Sequence, residues 1–469
     1  MTFHKRNTAG AGRFARRGLP IAAAVLLLPL GACNTDKLLR VDDPDVATPE
    51  SVNDSTALPI VYNGVIADFA TAFAGNGNTG GGGSNEGQIL LSGLLGDEYT
   101  GDDSFDTRIR IDERDILQQS NGTSTNGQLE DAFRNLQRAR VSAENAAERF
   151  AGLGKGTDPR RSEVLSLAGF SYLMFGENYC SGVTFSKFPL AGGAPIYGTP
   201  TARDDIFRLA LARFDSALAI AGGDATLRDL ARVGRARALL NLGDFAGAAS
   251  AVGVAGTTPA VPTGFSYQIE YSENSSSQEN GVYNYTLNYR RYGVSDKEGG
   301  VGLPYRSASD PRVPWKNLGK PFDQTLTIPF YGQLLYTDRS SPVTLASGVE
   351  ARLIEAEAAL KTGDVATFLA KINAERTAQG VSGTVTDPGT AAGRIQLLFQ
   401  ERGFSLWQTS HRLGDMRREM RQYGLPESAV YPTGAYIRPG ATYGHDKVLP
   451  IYVDETNNPN FTGCIDRKA

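Results

Sequence analysis

Two junctions, in RARALLNLGDFAGAASAV and ARLIEAEAALKTGDVATFLAKI, restrict how this chain can arrange its helices. In each, a helical pattern stops at a glycine, Gly243 or Gly363, and a new one starts after Asp244 or Asp364. Glycine takes the left-handed conformation that ends a helix, and the aspartate side chain accepts the orphan N–H groups of the next one. A turn this short makes an antiparallel helix pair. Phe245 with Ala248, and Val365 with Phe368, Leu369 and Ile372, supply the packing faces. Three longer stretches carry the same three- and four-residue apolar spacing. These are 128–150 (Leu129, Phe133, Leu136, Ala139, Ala143, Ala147), 159–179 (Val164, Leu167, Ala168, Tyr172, Phe175) and 204–221 (Ile206, Leu209, Ala210, Phe214, Ala217, Leu218). Helices resume over 347–379 and 390–423. The expectation is a mainly α protein built from stacked helix pairs, although 120 residues separate the two Gly-Asp turns and rule out a run of repeats unbroken in sequence.

The amino terminus carries an address. Lys5, Arg6, Arg13, Arg16 and Arg17 precede a 14-residue apolar run, Leu19 to Ala32, with no acid before it. That run suits a signal-peptide core and is too short to cross a bilayer. It closes in Leu30-Gly31-Ala32-Cys33, which looks like a bacterial lipobox in which the Cys33 thiol takes the lipid. Removing residues 1–32 takes away those five bases and moves the net charge from −4 to −9. A body this acidic is a poor partner for nucleic acid or an anionic membrane surface. Membrane contact is therefore expected at the anchor alone. Cys180 and Cys464 remain, an even pair in an oxidising compartment, and are expected to form a disulfide. Closing so long a loop is worth roughly 4–5 kcal/mol in the chain-entropy account.

Four segments are expected: the signal peptide 1–32, a helical array 33–253, an irregular insertion 254–346, and closing helices and loop 347–469. Pro44 and Pro49 make the start of the mature chain an extended arm, a helix is expected to restart at Pro59, and the glycine-dense stretch from Gly75 to Gly87 is loop. Within 254–346 the helical spacing vanishes and tyrosines gather: Tyr267, Tyr271, Tyr283, Tyr285, Tyr289 and Tyr292, with Arg291 and Trp315. Segment 282–293 alternates as a strand would, which puts Tyr283, Tyr285 and Tyr289 on one face and Tyr292 on the other. Such a face either stacks on a ligand, as tyrosine does with little entropy lost, or packs on the helices. The acids Asp97, Glu98, Asp102, Asp103 and Asp106 are expected in a solvated loop beside that face, with Asp102 among the ligand contacts.

Catalytic patterns are weak. His411 and His445 lack metal-ligand spacing, and HExxH, CxxC and GxSxG do not occur. Gly75, Gly77 and Gly80 match GxGxxG formally, but they follow an alanine-rich helix and lead into more glycine. His411, amid Arg412, Asp415 and Arg417, is expected to be a packing residue in an ion-pair network within a helical stretch. Neither a metal nor a cofactor is expected. The acidic cluster lacks calcium-loop spacing, and a glycosidase carboxylate pair is the enzymatic alternative.

The alanine-rich first helices with their Gly-Asp turns resemble tetratricopeptide units. Four further pieces together resemble the SusD/RagB family of outer-membrane nutrient-binding lipoproteins. LLRVDDPDVATPESV after Cys33 is similar to the family's opening, and ARLIEAEAAL (351–360) to its "ARLIRAEAAL" helix. LLFQERGFSLWQTSHRLGDMRR resembles its "ERRRELAFEGHRWFDLRR" segment, with Glu401, Arg402, His411, Arg412, Asp415, Arg417 and Arg418 in matching places. LPIYVDETNNPN matches its closing motif at Pro450, Glu455, Asn458 and Pro459. Thr409-Ser410 departs from the family's usual Glu-Gly before the histidine. The resemblance implies tetratricopeptide-like helix pairs with an irregular ligand face. It also implies a non-enzymatic role on the cell surface, binding a nutrient such as a glycan and delivering it to a TonB-dependent outer-membrane transporter. An envelope scaffold binding a protein partner is the other non-enzymatic reading.

Overall fold

The helices stack side by side as the Gly-Asp junctions require. The computed structural model describes residues 54–78 and 86–468. The leader 1–32, Cys33 and the arm up to residue 53 lie outside the described residues, as do 79–85 within the glycine-dense loop.

Thirteen α-helices occur among the described residues. Helix α1 (Leu58–Ala74) carries Pro59 in its first turn, where the missing N–H costs nothing. The short α2 (Gln88–Leu95) is buried on all sides, and α3 (Asp106–Asp112) follows strand β1 (Tyr99–Gly101). Strand β2 (Thr123–Ser124) leads into α4 (Gly127–Gly152), capped by Asn126, and α5 (Pro159–Asn178), capped by Asp158 with Pro159 next. Beyond β3 (Val183–Thr184) and β4 (Pro200–Thr201) come α6 (Arg203–Leu218), α7 (Ala225–Asn241) and α8 (Phe245–Val252). Helices α4 to α8 pack each on the next, and α1 packs on α4. The Phe214 ring of α6 sits between Gly169 of α5 and Gly234 of α7, where an added Cβ would lie 2.7 and 2.2 Å from ring carbons.

The insertion holds β5 (Ser266–Ile269), a one-turn α9 (Gly281–Tyr283) continuing into a π-helical turn at Asn284–Asn288, then β6 (Tyr292–Val294), β7 (Trp315–Asn317), β8 (Tyr331–Gln333) and β9 (Val343–Ser347). After it come α10 (Gly348–Thr362), α11 (Val365–Ala378), α12 (Ala391–Ser405), α13 (Arg412–Tyr423) and β10 (Ile451–Tyr452). Helix α10 packs directly on α8, so the array is continuous in space across the insertion that breaks it in sequence. Both junctions have the expected chemistry. Gly243 and Gly363 have φ of +82° and +78°, and Asp244 and Asp364 accept from the N–H of Gly247 (2.8 Å) and Thr367 (3.0 Å). The strands form five two-stranded ladders: β1–β6, β3–β4, β5–β9 and β7–β8 antiparallel, and β2–β10 parallel.

Cys180 and Cys464 are joined as a disulfide with Cα atoms 5.9 Å apart, fastening the C-terminal tail beside β3. Two sequence expectations are corrected here. The 390–423 stretch is broken at 406–411, where Gln408 and Ser410 adopt positive φ, so His411 caps α13 rather than sitting inside a helix. Segment 282–293 is mostly helical, not a strand. Asn280 accepts from the Tyr283 N–H (3.1 Å), and Thr286 donates to the Val282 carbonyl (2.6 Å), so Asn and Thr side chains stabilise a turn. Val282, Tyr285 and Tyr289 also fit helical spacing, and only Tyr292–Val294 pairs as a strand.

A buried layer of charge joins α13 to the rest. Asp415 takes both Arg402 (2.7 and 2.9 Å) and Arg418 (2.8 Å), and Arg418 also meets Glu357 of α10 (2.5 Å). Burial alone would raise the Asp415 carboxyl, yet the two guanidiniums hold it well below the usual carboxylate range. Replacing Asp415 with alanine leaves two buried cations facing an empty site. Urea unfolding is expected to show a loss of about 3–5 kcal/mol, the usual cost of breaking a buried pair from one side.

Candidate ligand-binding face

The insertion, the 97–112 segment and the 436–443 loop meet over α12 and α13. Strand β1 pairs with β6 in the register Tyr99↔Val294 and Gly101↔Tyr292, which brings Asp102 and Asp103 beside Arg291. Asp103, buried, accepts from Arg108 (2.8 Å) and twice from Arg291 (2.9 and 2.8 Å). The Arg291 guanidinium then lies 3.8 Å from the Phe322 ring centroid and 5.0 Å from that of Phe105. These rings are 6.2 Å apart and 51% and 38% exposed for Phe105 and Phe322 respectively. Two large apolar rings, a cation between them and a buried carboxylate behind form a rigid, half-apolar surface.

A second aromatic pair lies on the β7–β8 hairpin. Trp315 and Tyr331 meet edge to face with centroids 5.5 Å apart, and both rest on the buried cluster of Val294, Tyr305, Val313, Phe404 and Trp407. The guanidinium of Arg306 lies 3.7 Å from the centre of the Tyr331 ring.

The sequence-selected residues divide by depth. Tyr283, Tyr289, Arg291 and Trp315 are half-buried. Tyr285 and Tyr292 are interior, with Tyr285 edge-on to both Tyr289 and Tyr292, and the Tyr292 hydroxyl donating to Glu86 (2.7 Å). Asp102 is 1% exposed. Those three are therefore corrected from ligand contacts to support beneath the face. Phe105, Phe322, Tyr331 and Arg306 were not singled out from sequence. The usable signal was a large apolar ring set in otherwise polar, turn-forming segments.

The acidic segment is also corrected. Asp97, Glu98, Asp102 and Asp103 are buried, and of the five only Asp106 is exposed. Arg412 forks onto Asp97 (2.6 and 2.9 Å), and the Gln408 N–H donates to Glu98 (2.9 Å). These partners lie more than 300 residues along the chain, out of reach of local pattern reading. His411 is buried as well, its Nε2 3.1 Å from Glu350 and its Nδ1 2.8 Å from the Thr409 hydroxyl.

Several carboxyls in this layer lack a full set of cations. Burial pushes Glu98 up to about 8 and Asp112 up to about 7. Burial, then the neighbouring Asp112, Asp97 and Asp102, pushes Glu298 well above the ordinary range, and Asp102 is raised chiefly by burial. A cavity of about 540 Å³ is lined by Trp407 together with Phe265, Arg312, Tyr336, Leu345, Phe404 and His411 among others.

The fold is similar to those of solved SusD superfamily proteins. A SusD homolog from Bacteroides thetaiotaomicron superposes with a TM-score of 0.61 at 14% identity, over 86% of this chain and 95% of that one. A SusD superfamily protein from Bacteroides fragilis gives 0.59 at 14%, over 87% and 99%. A SusD-like carbohydrate binding protein from Bacteroides vulgatus gives 0.57 at 16%, over 87% and 97%. No protein-family model and no curated protein matches the sequence.

The raised carboxyl at Glu98 has a consequence for stability. Below about pH 4.5 it is protonated whether folded or unfolded. Between there and about pH 8 the native state keeps a proton that the unfolded chain releases, so this group lowers stability as pH rises. Glu98→Gln keeps the acceptor for Gln408 and removes the titration. From pH 5 to pH 8 the variant is expected to gain about 2–4 kcal/mol on the wild type in denaturant melts; a constant difference would show Glu98 ionised in the fold.

Proposed function

We propose that this chain is a lipid-anchored surface protein that binds a glycan without turning it over and presents it to a TonB-dependent outer-membrane transporter. The observation that carries the binding role is the exposed Phe105–Arg291–Phe322 surface, held rigid from below by buried Asp103. Pyranose rings have apolar C–H faces that stack on flat aromatic surfaces, and a fixed guanidinium offers hydrogen bonds to hydroxyls at the ring edge. The fold supports this reading, since one structural neighbour is described as carbohydrate binding. The leader ending in Leu30-Gly31-Ala32-Cys33 supports the anchor.

The test uses the mature chain with Cys33 replaced by serine, probed on a glycan array and then by titration calorimetry. Binding to at least one oligosaccharide class is expected, with no reducing sugar released on long incubation. Phe105→Ala with Phe322→Ala is expected to weaken binding at least tenfold, about 1.4 kcal/mol, with an unchanged melting temperature. An array without hits, or binding indifferent to the double substitution, defeats the proposal.

A further inference from the structure

The arginines of this face other than Arg306 have acceptors, Arg290 the carbonyl oxygen of Leu318 (3.0 Å) and the rest carboxylates. Arg291 and Arg108 share Asp103, Arg438 meets Asp323 (2.8 Å), Arg412 meets Asp97, and Arg312 meets Asp310 and Glu401 (both 2.7 Å). Arg306 has no such partner. Among the described residues its side chain makes no ion pair and no hydrogen bond, and its Nε is buried without an acceptor. The nearest carboxylate in sequence, Asp310, is taken by Arg312 (2.9 and 2.7 Å), and Asp296 Oδ1 accepts from the backbone N–H groups of Arg306 (3.1 Å) and Ser307 (2.9 Å) and from the Ser307 hydroxyl (3.0 Å). Yet the guanidinium lies against two rings, 3.7 Å from the Tyr331 centroid and 5.9 Å from that of Trp315.

No acid among the described residues pairs directly with this charge. Asp102 and Glu298 are among the carboxyls close enough to interact with Arg306, and both are interior and held towards the neutral form. A partly desolvated cation beside two rings, with its own carboxylate missing, has the chemistry of a site completed by a ligand. A guanidinium matches a carboxylate as a two-pronged fork, and its planar charge also tolerates stacking on an aromatic ring.

We infer that Arg306, with Trp315 and Tyr331, is an anion-recognising subsite and that the glycan bound here carries carboxylates, making it a uronate-containing oligosaccharide. A uronate sugar suits the arrangement because its carboxylate projects from the ring edge while its C–H face is free to stack. The inference rests on the glycan-binding proposal and adds the class of sugar.

The probes are oligogalacturonate, alginate and glucuronate oligosaccharides, each compared with its own methyl ester and with a sulfated neutral counterpart. At least one acid is expected to bind ten times or more tighter than its ester, and this advantage is expected to shrink in 0.5 M NaCl. Arg306→Gln is expected to bring acid and ester within about threefold while leaving the ester's affinity near the wild-type value. Arg306→Lys, which keeps the charge and loses the fork, is expected to fall between. Equal binding of acid and ester, preference for the sulfated form, or an acid preference that survives Arg306→Gln overturns the inference. Binding of neutral glycans alone overturns it and leaves the glycan-binding proposal standing, whereas an array without any hit removes both.

Discussion

Asp415 and the guanidiniums around it hold the molecule's two kinds of structure together. The helix that carries it, α13, contributes Arg412 to Asp97 under the ligand face and Arg418 to Glu357 in the helical array. Arg417 donates to the carbonyl oxygens of Gly176 (2.9 Å) and Glu177 (2.6 Å), capping α5 from the side. Arg237 of α7 forks onto Glu177 (2.8 and 2.6 Å). Apolar residues of the same volume would hold these parts together equally well or better, since burying charge is costly. What a planar fork adds is direction. An apolar contact survives a slide of an ångström or two, and a two-pronged ion pair does not. The irregular segments have few backbone ladders of their own, so their placement against the helices depends on contacts of this kind.

That dependence explains what could be read from sequence. Helices α4, α5 and α6 begin and end within a few residues of where apolar spacing put them, because their caps and stripes are local. The Gly-Asp turns are local too. The contact of α8 with α10 is not, as nearly a hundred residues of insertion intervene. The break before α13 carries no proline, and its positive-φ positions are Gln408 and Ser410. Neither is a residue type that favours this conformation; the turn aims His411 at Glu350 and the Gln408 N–H at Glu98. The acidic segment failed for the same reason. Five acids in ten residues normally mark a solvated loop, and their burial depends on arginines far along the chain.

The aromatic cluster is legible in the sequence as a region, but not which of its rings reach the surface. Tyrosine suits either a ligand face or an interior with acceptors at hand, and this interior has many: Glu86 takes Tyr292, Glu163 takes both Tyr62 and Tyr267, and Glu144 takes Tyr172. The alternation in VYNYTLNY was misleading because positions three and four apart were also apolar. Phenylalanine lacks a hydroxyl to satisfy, so an exposed one is the more telling residue, and Phe105 and Phe322 are the rings that face outward.

Net charge is also a poor guide to this face. Residues 33–469 carry a strongly acidic balance, yet Asp97, Glu98, Asp102, Asp103 and Glu298 beside this face are buried, paired with arginine or held towards neutrality by burial, while Asp106, Glu270, Glu273 and Asp338 stay exposed. The surface of the same region keeps Arg291, Arg306, Lys297, Lys316 and Lys320 at least partly exposed. A ligand meets the local field before it meets the average, because charges more than about 8–10 Å away are screened at physiological salt. An acidic protein can thus present a cationic aromatic surface, and burying carboxyls beneath it leaves the arginines above open to what binds.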